Sequence, residues 1–225
     1  MRRLPLPAAI FVIGVVGTLL LVFVTDVTDK FPADEEIPVP EPLGFVRAAV
    51  ETEPVPSFDD AADDIAIWVH PTEPELRTII GTDKQSGLAV YDLDGNELQF
   101  LAHGEINNVD IRYDFPLAGQ RVALVTASDR ADRLAIYRVD PETRLLEEVA
   151  ARAIRTGISA YGICMYRSPV DGRFYAFINS EAAEVEQWEL LATEEGKVDA
   201  RVVREFDVGE ETEGCVADDE VGYVY

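Results

Sequence analysis

Residues 64–101 read DIAIWVHPTEPELRTIIGTDKQSGLAVYDLDGNELQFL, and this stretch decides the fold class. Four short runs stand out: Ile65–Val69, Thr78–Thr82, Leu88–Tyr91 and Glu97–Leu101. They are rich in β-branched, aromatic and other apolar side chains, which suit the pleated, half-buried surface of a strand. Gly81, Gly87 and Asp94-Gly95 punctuate them, and Asp-Gly is a strong hairpin signal. The same rhythm returns at Val109–Tyr113, Val122–Ala127, Leu134–Val139 and Leu145–Ala150, and again at Tyr161–Tyr166, Phe174–Ile178, Val185–Leu190 and Arg201–Phe206. A fourth set opens at Gly214–Val216. No long stretch shows helical periodicity. The sets start near Asp64, Asp110, Tyr161 and Glu213, 46 to 52 residues apart. Four strands per repeat of that length is the pattern of propeller blades, with a β-sandwich as the alternative.

Composition narrows the function classes. The 225 residues carry 19 Lys and Arg against 43 Asp and Glu, a formal charge of −24, and 48% are hydrophobic. That apolar share suffices for a core. The acidity excludes a nucleic-acid binder, which needs a basic footprint to release counterions from phosphates. It suits cations instead. Two cysteines are too few for a disulfide scaffold or a zinc ribbon, and two histidines, His70 and His103, build no His-rich metal cluster. A bound metal would need oxygen ligands, which means calcium or magnesium.

The chain opens Met1-Arg2-Arg3 and runs apolar and uncharged from Ala8 to Val24. Residues 1–25 therefore read as a signal peptide or signal anchor, a hydrophobic helix that exports the rest of the chain and, if uncleaved, anchors it to the membrane. Residues 26–58 are rich in Pro and acidic side chains and read as an extended linker, with a strand around Phe45–Val50 at its end. The folded domain is expected over 59–225.

In a propeller the first strand of each blade lines the central channel, so the blade starts converge in space. Here they bring together Asp63 and Asp64, Asn107–Asp110, Tyr161-Gly162 and Thr212–Gly214. This set is rich in oxygen donors of the kind that hold Ca²⁺. The alternative is that Asp and Asn only shape Asx turns there. Trp68 reads as core, and His70 as the cap of a strand end.

The sequence resembles the β-propeller phytases. The resemblance is carried in order by Asp60–Pro71 (DAADDIAIWVHP), Thr82–Gly95, Asn107–Leu117 (NNVDIRYDFPL), Ser128–Arg130, Tyr161-Gly162, Glu184–Leu190 and Thr212–Glu220. It implies an all-β, six-bladed propeller, of which about three and a half blades fall within this sequence. It also implies a Ca²⁺-dependent phosphomonoester hydrolase, a monomer acting on phytate or calcium phytate through a calcium-activated water. By the same resemblance Asp63, Asp64, Asn108, Asp110 and Glu213 are metal ligands or neighbours of them, and Lys84, Arg130 and Tyr161 contact the substrate. Each has a plainer alternative. Lys84 is an exposed turn lysine, Arg130 pairs with Asp129, Tyr161 is a strand aromatic, and Glu213 is one acid among several.

Departures from the family pattern bear on substrate handling. Ile65 stands where the family has Pro, and Gln85 and Glu181 stand where it has lysines. The last two weaken the hold on a second phosphate. Six repeats need about 300 residues, so the region after Asp59 is expected to be C-terminally incomplete and not fully competent alone. Two other functions compete: a non-catalytic, membrane-tethered binding propeller, and a calcium propeller hydrolase of the lactonase kind. Lys84 and Arg130 argue against the latter, because a neutral lactone needs no phosphate clamp.

Overall fold

The structure, a computed structural model, describes residues 48–225. The hydrophobic helix expected in 1–25 and most of the expected linker lie outside the described residues. Among the described residues no helix is long and apolar enough to cross a membrane. Ala48–Val50 form no strand. Contacts with the first sheet begin before Asp59: the Glu53 N–H donates to Gly95 O at 2.8 Å, and the Ser57 N–H donates to the Asp83 carboxylate at 3.1 Å.

Three antiparallel meanders succeed one another along the chain. The first is β1 (Ala62–Trp68), β2 (Thr78–Asp83), β3 (Gly87–Tyr91) and β4 (Glu97–Leu101), paired in that order. The second is β5 (Ile106–Leu117), β6 (Gln120–Asp129), β7 (Arg133–Val139) and β8 (Leu146–Glu148), with the short β9 (Ile154–Arg155) also pairing β7. The third is β10 (Ile163–Arg167), β11 (Phe174–Asn179), β12 (Glu184–Ala192) and β13 (Val198–Asp207). A two-stranded ladder, β14 (Ala217–Asp218) with β15 (Tyr223–Val224), comes last. Sequential four-stranded meanders are the unit of a propeller. The fourth set begins three residues later than Gly214, because Gly214 and Cys215 are held outside any strand.

The core lies between the sheets. One cluster joins Trp68, Ile80, Leu88 and Val90 of the first sheet to Val109, Ile111, Val125 and Tyr137 of the second. Another joins Phe115, Leu124 and Ile136 of the second to Met165, Phe174, Ile178, Trp188 and Leu190 of the third. Strand β6 shows why the middle sheet reads as an unbroken apolar run. Its side chains alternate: Val122 and Leu124 pack in the cluster with the third sheet, while Ala123, Val125 and Ala127 pack in the cluster with the first. A strand covered on both faces needs no polar alternation. Strand β1 is covered on one face only, so Ala66 and Trp68 are buried while Ile65, Ile67 and Val69 are exposed. A two-layer sandwich would not produce three sheets with two separate inter-sheet cores.

Turn chemistry fixes the registers. In the β3–β4 hairpin Gly95 sits at φ +87°, and Asp92 accepts from Asp94 N, Asn96 N and Asn96 Nδ2. His70 Nδ1 accepts the Glu73 N–H at 3.0 Å, so it caps the turn after β1. Asp83, fully buried, closes the β2–β3 turn. Burial pushes its carboxyl up, but hydrogen bonds from Ser86 Oγ, Ser57 and the Gln85 N–H outweigh burial and hold it below the usual carboxylate range.

A carboxylate with a depressed folded-state pKa stabilises fully above its unfolded value and loses that contribution as pH falls through the folded one. Asp83→Asn should therefore lower stability at neutral pH by about 1–3 kcal/mol. In urea titrations it should also flatten the fall in stability below about pH 4. Identical slopes for both proteins would remove Asp83 from this role.

Candidate active site

The starts of the inner strands β1, β5 and β10 and the ends of the second strands β2 and β6 carry most of the candidate polar side chains. Asp64 ties the first two sheets together. Its Oδ2 accepts the Val109 N–H at 3.0 Å and Asn108 Nδ2 at 3.1 Å, and its Oδ1 accepts the Ile65 N–H at 2.8 Å. The Asp64 N–H donates to Thr82 Oγ1 at 2.9 Å. Asn108 repeats that anchor one sheet on, donating its N–H to Ser128 Oγ at 3.1 Å, and Ser128 Oγ donates to Tyr161 O at 2.5 Å. A hydrogen-bonded path thus runs from β1 through β5 and β6 to the start of β10.

The cations come after the second strands. Lys84 stands directly after β2 and Arg130 directly after β6. Each donates its backbone N–H to a residue preceding its sheet's first strand core: Lys84 to Ala61 O and Arg130 to Glu105 O, both at 2.9 Å. The Lys84 Nζ lies 2.8 Å from Asp60 Oδ2 and 3.3 Å from Asp63 Oδ1. The hydrogen bond to Asp60 leads in raising the Lys84 pKa, so the amine stays charged. Arg130 Nη2 meets Glu181 Oε1 at 2.8 Å, and its guanidinium lies 4.9 Å from the centre of the Tyr161 ring. The Tyr161 hydroxyl donates to Glu213 Oε1 at 3.3 Å. Burial and the Glu213 charge hold the phenol above its usual pKa, which keeps it a proton donor.

Arg130 does not pair with Asp129. That carboxylate is buried, accepts the Ala131 N–H at 2.8 Å and is held by Arg133. Asp110 is also fully engaged: it accepts the Ile111 N–H at 2.7 Å, the Met165 N–H at 2.8 Å and Arg112 Nη1 at 3.0 Å. Arg112 continues to Asp219 at 2.9 Å, and Asp219 accepts the Arg167 N–H at 3.1 Å. Asp110 therefore braces the second sheet against the third and the segment beyond it. Burial pushes its carboxyl up against the opposing pull of Arg112.

A depression of about 480 Å³ is lined by Asp64, Asn108, Asp110, Gly214 and Cys215 among others. Its polar side chains are oxygen donors, which fits a hard cation in kind. Two further oxygens beside the Glu213 segment are buried without a partner: Asn179 Oδ1 and Thr212 Oγ1. Asn179 Nδ2 donates to Thr212 O, next to Glu213. Among the described residues no three His, Cys, Asp or Glu side chains converge as a ready metal cluster. Asp63, Asp64 and Glu213 keep lone pairs to offer; Asp110 does not.

Several contributors escaped the reading of the sequence. Asp60 is the nearer partner of Lys84, and Thr82 and Ser128 anchor the inner strands. The signal for the last two was present as a repeat of hydroxyl, acid and cation: Thr82-Asp83-Lys84 and Ser128-Asp129-Arg130. The largest omission is covalent. Cys164 and Cys215 form a disulfide, with Cα atoms 5.4 Å apart, that ties β10 to the segment carrying Glu213.

A family model described as Phytase matches residues 15–225. Among curated proteins, a 3-phytase of Bacillus subtilis (strain 168) is 45% identical over 186 residues, a span that takes in 80% of this chain and 49% of the relative. The chain thus spans about half the length of the curated relative it matches. With the meanders and the ordered motifs in agreement, the chain belongs to the phytase family.

Proposed function

We propose that this protein is a calcium-dependent phosphomonoester hydrolase that releases inorganic phosphate from phytate, and that its sheets are part of a six-bladed ring. The observation that carries the reading is the Arg130–Tyr161–Glu213 arrangement, which sets a guanidinium against an aromatic face beside a carboxylate. Identity with a 3-phytase over most of the chain supports the substrate class.

In this reading Lys84 and Arg130 bind the phosphate oxygens. Arg130 presents a planar fork and Lys84 a point charge. Tyr161 packs its ring against the guanidinium and donates a hydrogen bond to a neighbouring oxygen while keeping its proton. Both cations first exchange an internal carboxylate for the substrate: Asp60 leaves Lys84, and Glu181 leaves Arg130. Asp63, Asp64 and Glu213, with the Asn108 carbonyl, would hold the metal. Calcium bound there would screen an acidic protein from a polyanionic substrate and lower the pKa of water at the phosphorus. Hydrolysis adds water across the P–O ester bond and yields an inositol hydroxyl and inorganic phosphate. The disulfide supports export to an oxidising compartment, where such bonds persist.

A second reading is a membrane-tethered propeller that binds a polyanion without turnover. The pairing of both cations with internal carboxylates favours it. The two part on phosphate release. The full-length protein should liberate phosphate from calcium phytate, and EDTA should abolish this. Asp64→Ala should abolish it as well, and Arg130→Ala should lower kcat by about 10²–10³. Activity that persists in EDTA and in Asp64→Ala would eliminate the hydrolase reading.

Glu181 provides a sharper test. Glu181→Gln removes an exposed competitor for Arg130, so KM for phytate should fall about 2- to 5-fold with kcat little changed. A raised KM would mean that Glu181 helps to hold substrate.

A further inference from the structure

The segment that carries Glu213 has little of its own to fix it. From Val208 to Gly214 nearly every residue is exposed and none belongs to a strand. It contains Gly209, Glu210, Glu211, Glu213 and Gly214, so like charges repel and the glycines add freedom. The Val208 N–H donates to Ala183 O at one end, and the Val216 N–H donates to Tyr225 O at the other, both at 3.0 Å. Between these points the ties that bracket Glu213 come from β11, from β10 and from the residues just before β10. Asn179, the last residue of β11, binds Thr212 O. Cys164 in β10 is bonded to Cys215. Gly162, just before β10, lies directly against the Glu213 carbonyl. A Cβ added at Gly162 would overlap that oxygen, come within 2.9 Å of the Glu213 carbonyl carbon and press on Asn179 Oδ1.

Tyr161, Gly162 and Cys164 are thus one short stretch with three tasks. Tyr161 supplies the hydroxyl that meets Glu213, Gly162 supplies the gap for the Glu213 backbone, and Cys164 supplies the covalent anchor. The ring Tyr161…Cys164–Cys215…Glu213 is closed by the disulfide at one end and by the 3.3 Å hydrogen bond at the other. We infer that Gly162 and the Cys164–Cys215 disulfide are positioning elements for Glu213, setting its carboxylate against the Tyr161 hydroxyl, whose ring packs on Arg130. This rests on the reading of Glu213 as a site residue under the proposed function. Opening the bond with a dithiol gives two thiols and the oxidised dithiol, so a reducing compartment would release Glu213 while leaving the sheets standing.

The test uses the full-length protein, Cys164→Ser/Cys215→Ser and Gly162→Ala. Thiol titration of the denatured parent should find neither cysteine free. In the double variant, exchange of the Val216 amide, which donates to Tyr225 O, should accelerate roughly tenfold or more while β11 and β12 stay protected. The calcium concentration that half-saturates phosphate release should rise in both variants, with Gly162→Ala still fully oxidised. Unchanged exchange at Val216, or equal acceleration throughout the third sheet, would reduce the disulfide to general stabilisation and overturn the inference. Free thiols in the parent would do the same. If the parent releases no phosphate, the proposed function fails, and the exchange comparison still decides the positioning role.

Discussion

The constraint on which the structure depends is the burial of sheets against sheets. The middle meander must cover two faces, and it does so with alternating residues of single strands such as β6. Sheets stacked in this way bring the starts of their first strands to neighbouring positions. Side chains distant in sequence then meet there: Asp64 bonds to Val109 across 45 positions, and Asp110 to Met165 across 55. The same carboxylates that look like ligands in the sequence are also the ties that join one sheet to the next.

This dual use explains how the acidity is distributed. The formal charge of −24 already counts every Lys and Arg, so ion pairs within the fold do not reduce it. Many individual carboxylates nevertheless have fixed local roles. Asp83 and Asp129 close turns, Asp110 and Asp219 share Arg112, and the buried Glu189 is held by Arg201 at 2.6 Å. Of the carboxylates with spare oxygens, Asp60 and Asp63 lie beside Lys84, Glu213 lies beside Tyr161, and Asp64 lines the depression. Both candidate cations therefore already rest against carboxylates, Lys84 against Asp60 and Asp63 and Arg130 against Glu181.

The repeat of short strands was legible because period-two patterning and Asp-Gly turns are local. The boundaries were less so. β5 runs to Leu117, past the expected Tyr113, because pairing with β6 continues through irregular register near Arg112 and Phe115. Asp64, Lys84, Arg130, Tyr161 and Glu213 are candidates through motifs; the structure joins Arg130, Tyr161 and Glu213 in one contact chain and sets Lys84 against Asp60 and Asp63. Asp110 is a candidate channel ligand in the sequence and lines the depression; its bracing role depends on Arg112 and on an amide of another sheet, which no local pattern reveals. The Cys164–Cys215 bond was hidden for the same reason. Two cysteines far apart say nothing until the fold brings β10 beside the Glu213 segment. Asp60 and Glu181 were invisible as partners because ion pairs between loops depend on loop geometry alone.

The proposed function requires metal and polyanion to share one site built on Asp64, Lys84, Arg130 and Glu213. Calorimetric titration of the full-length protein with a non-hydrolysable polysulfated inositol tests this most directly. A shared site predicts binding with calcium present, none in EDTA, and loss of the calcium-dependent binding in Asp64→Ala. Equal binding with and without calcium, or undiminished binding by Asp64→Ala, would contradict it.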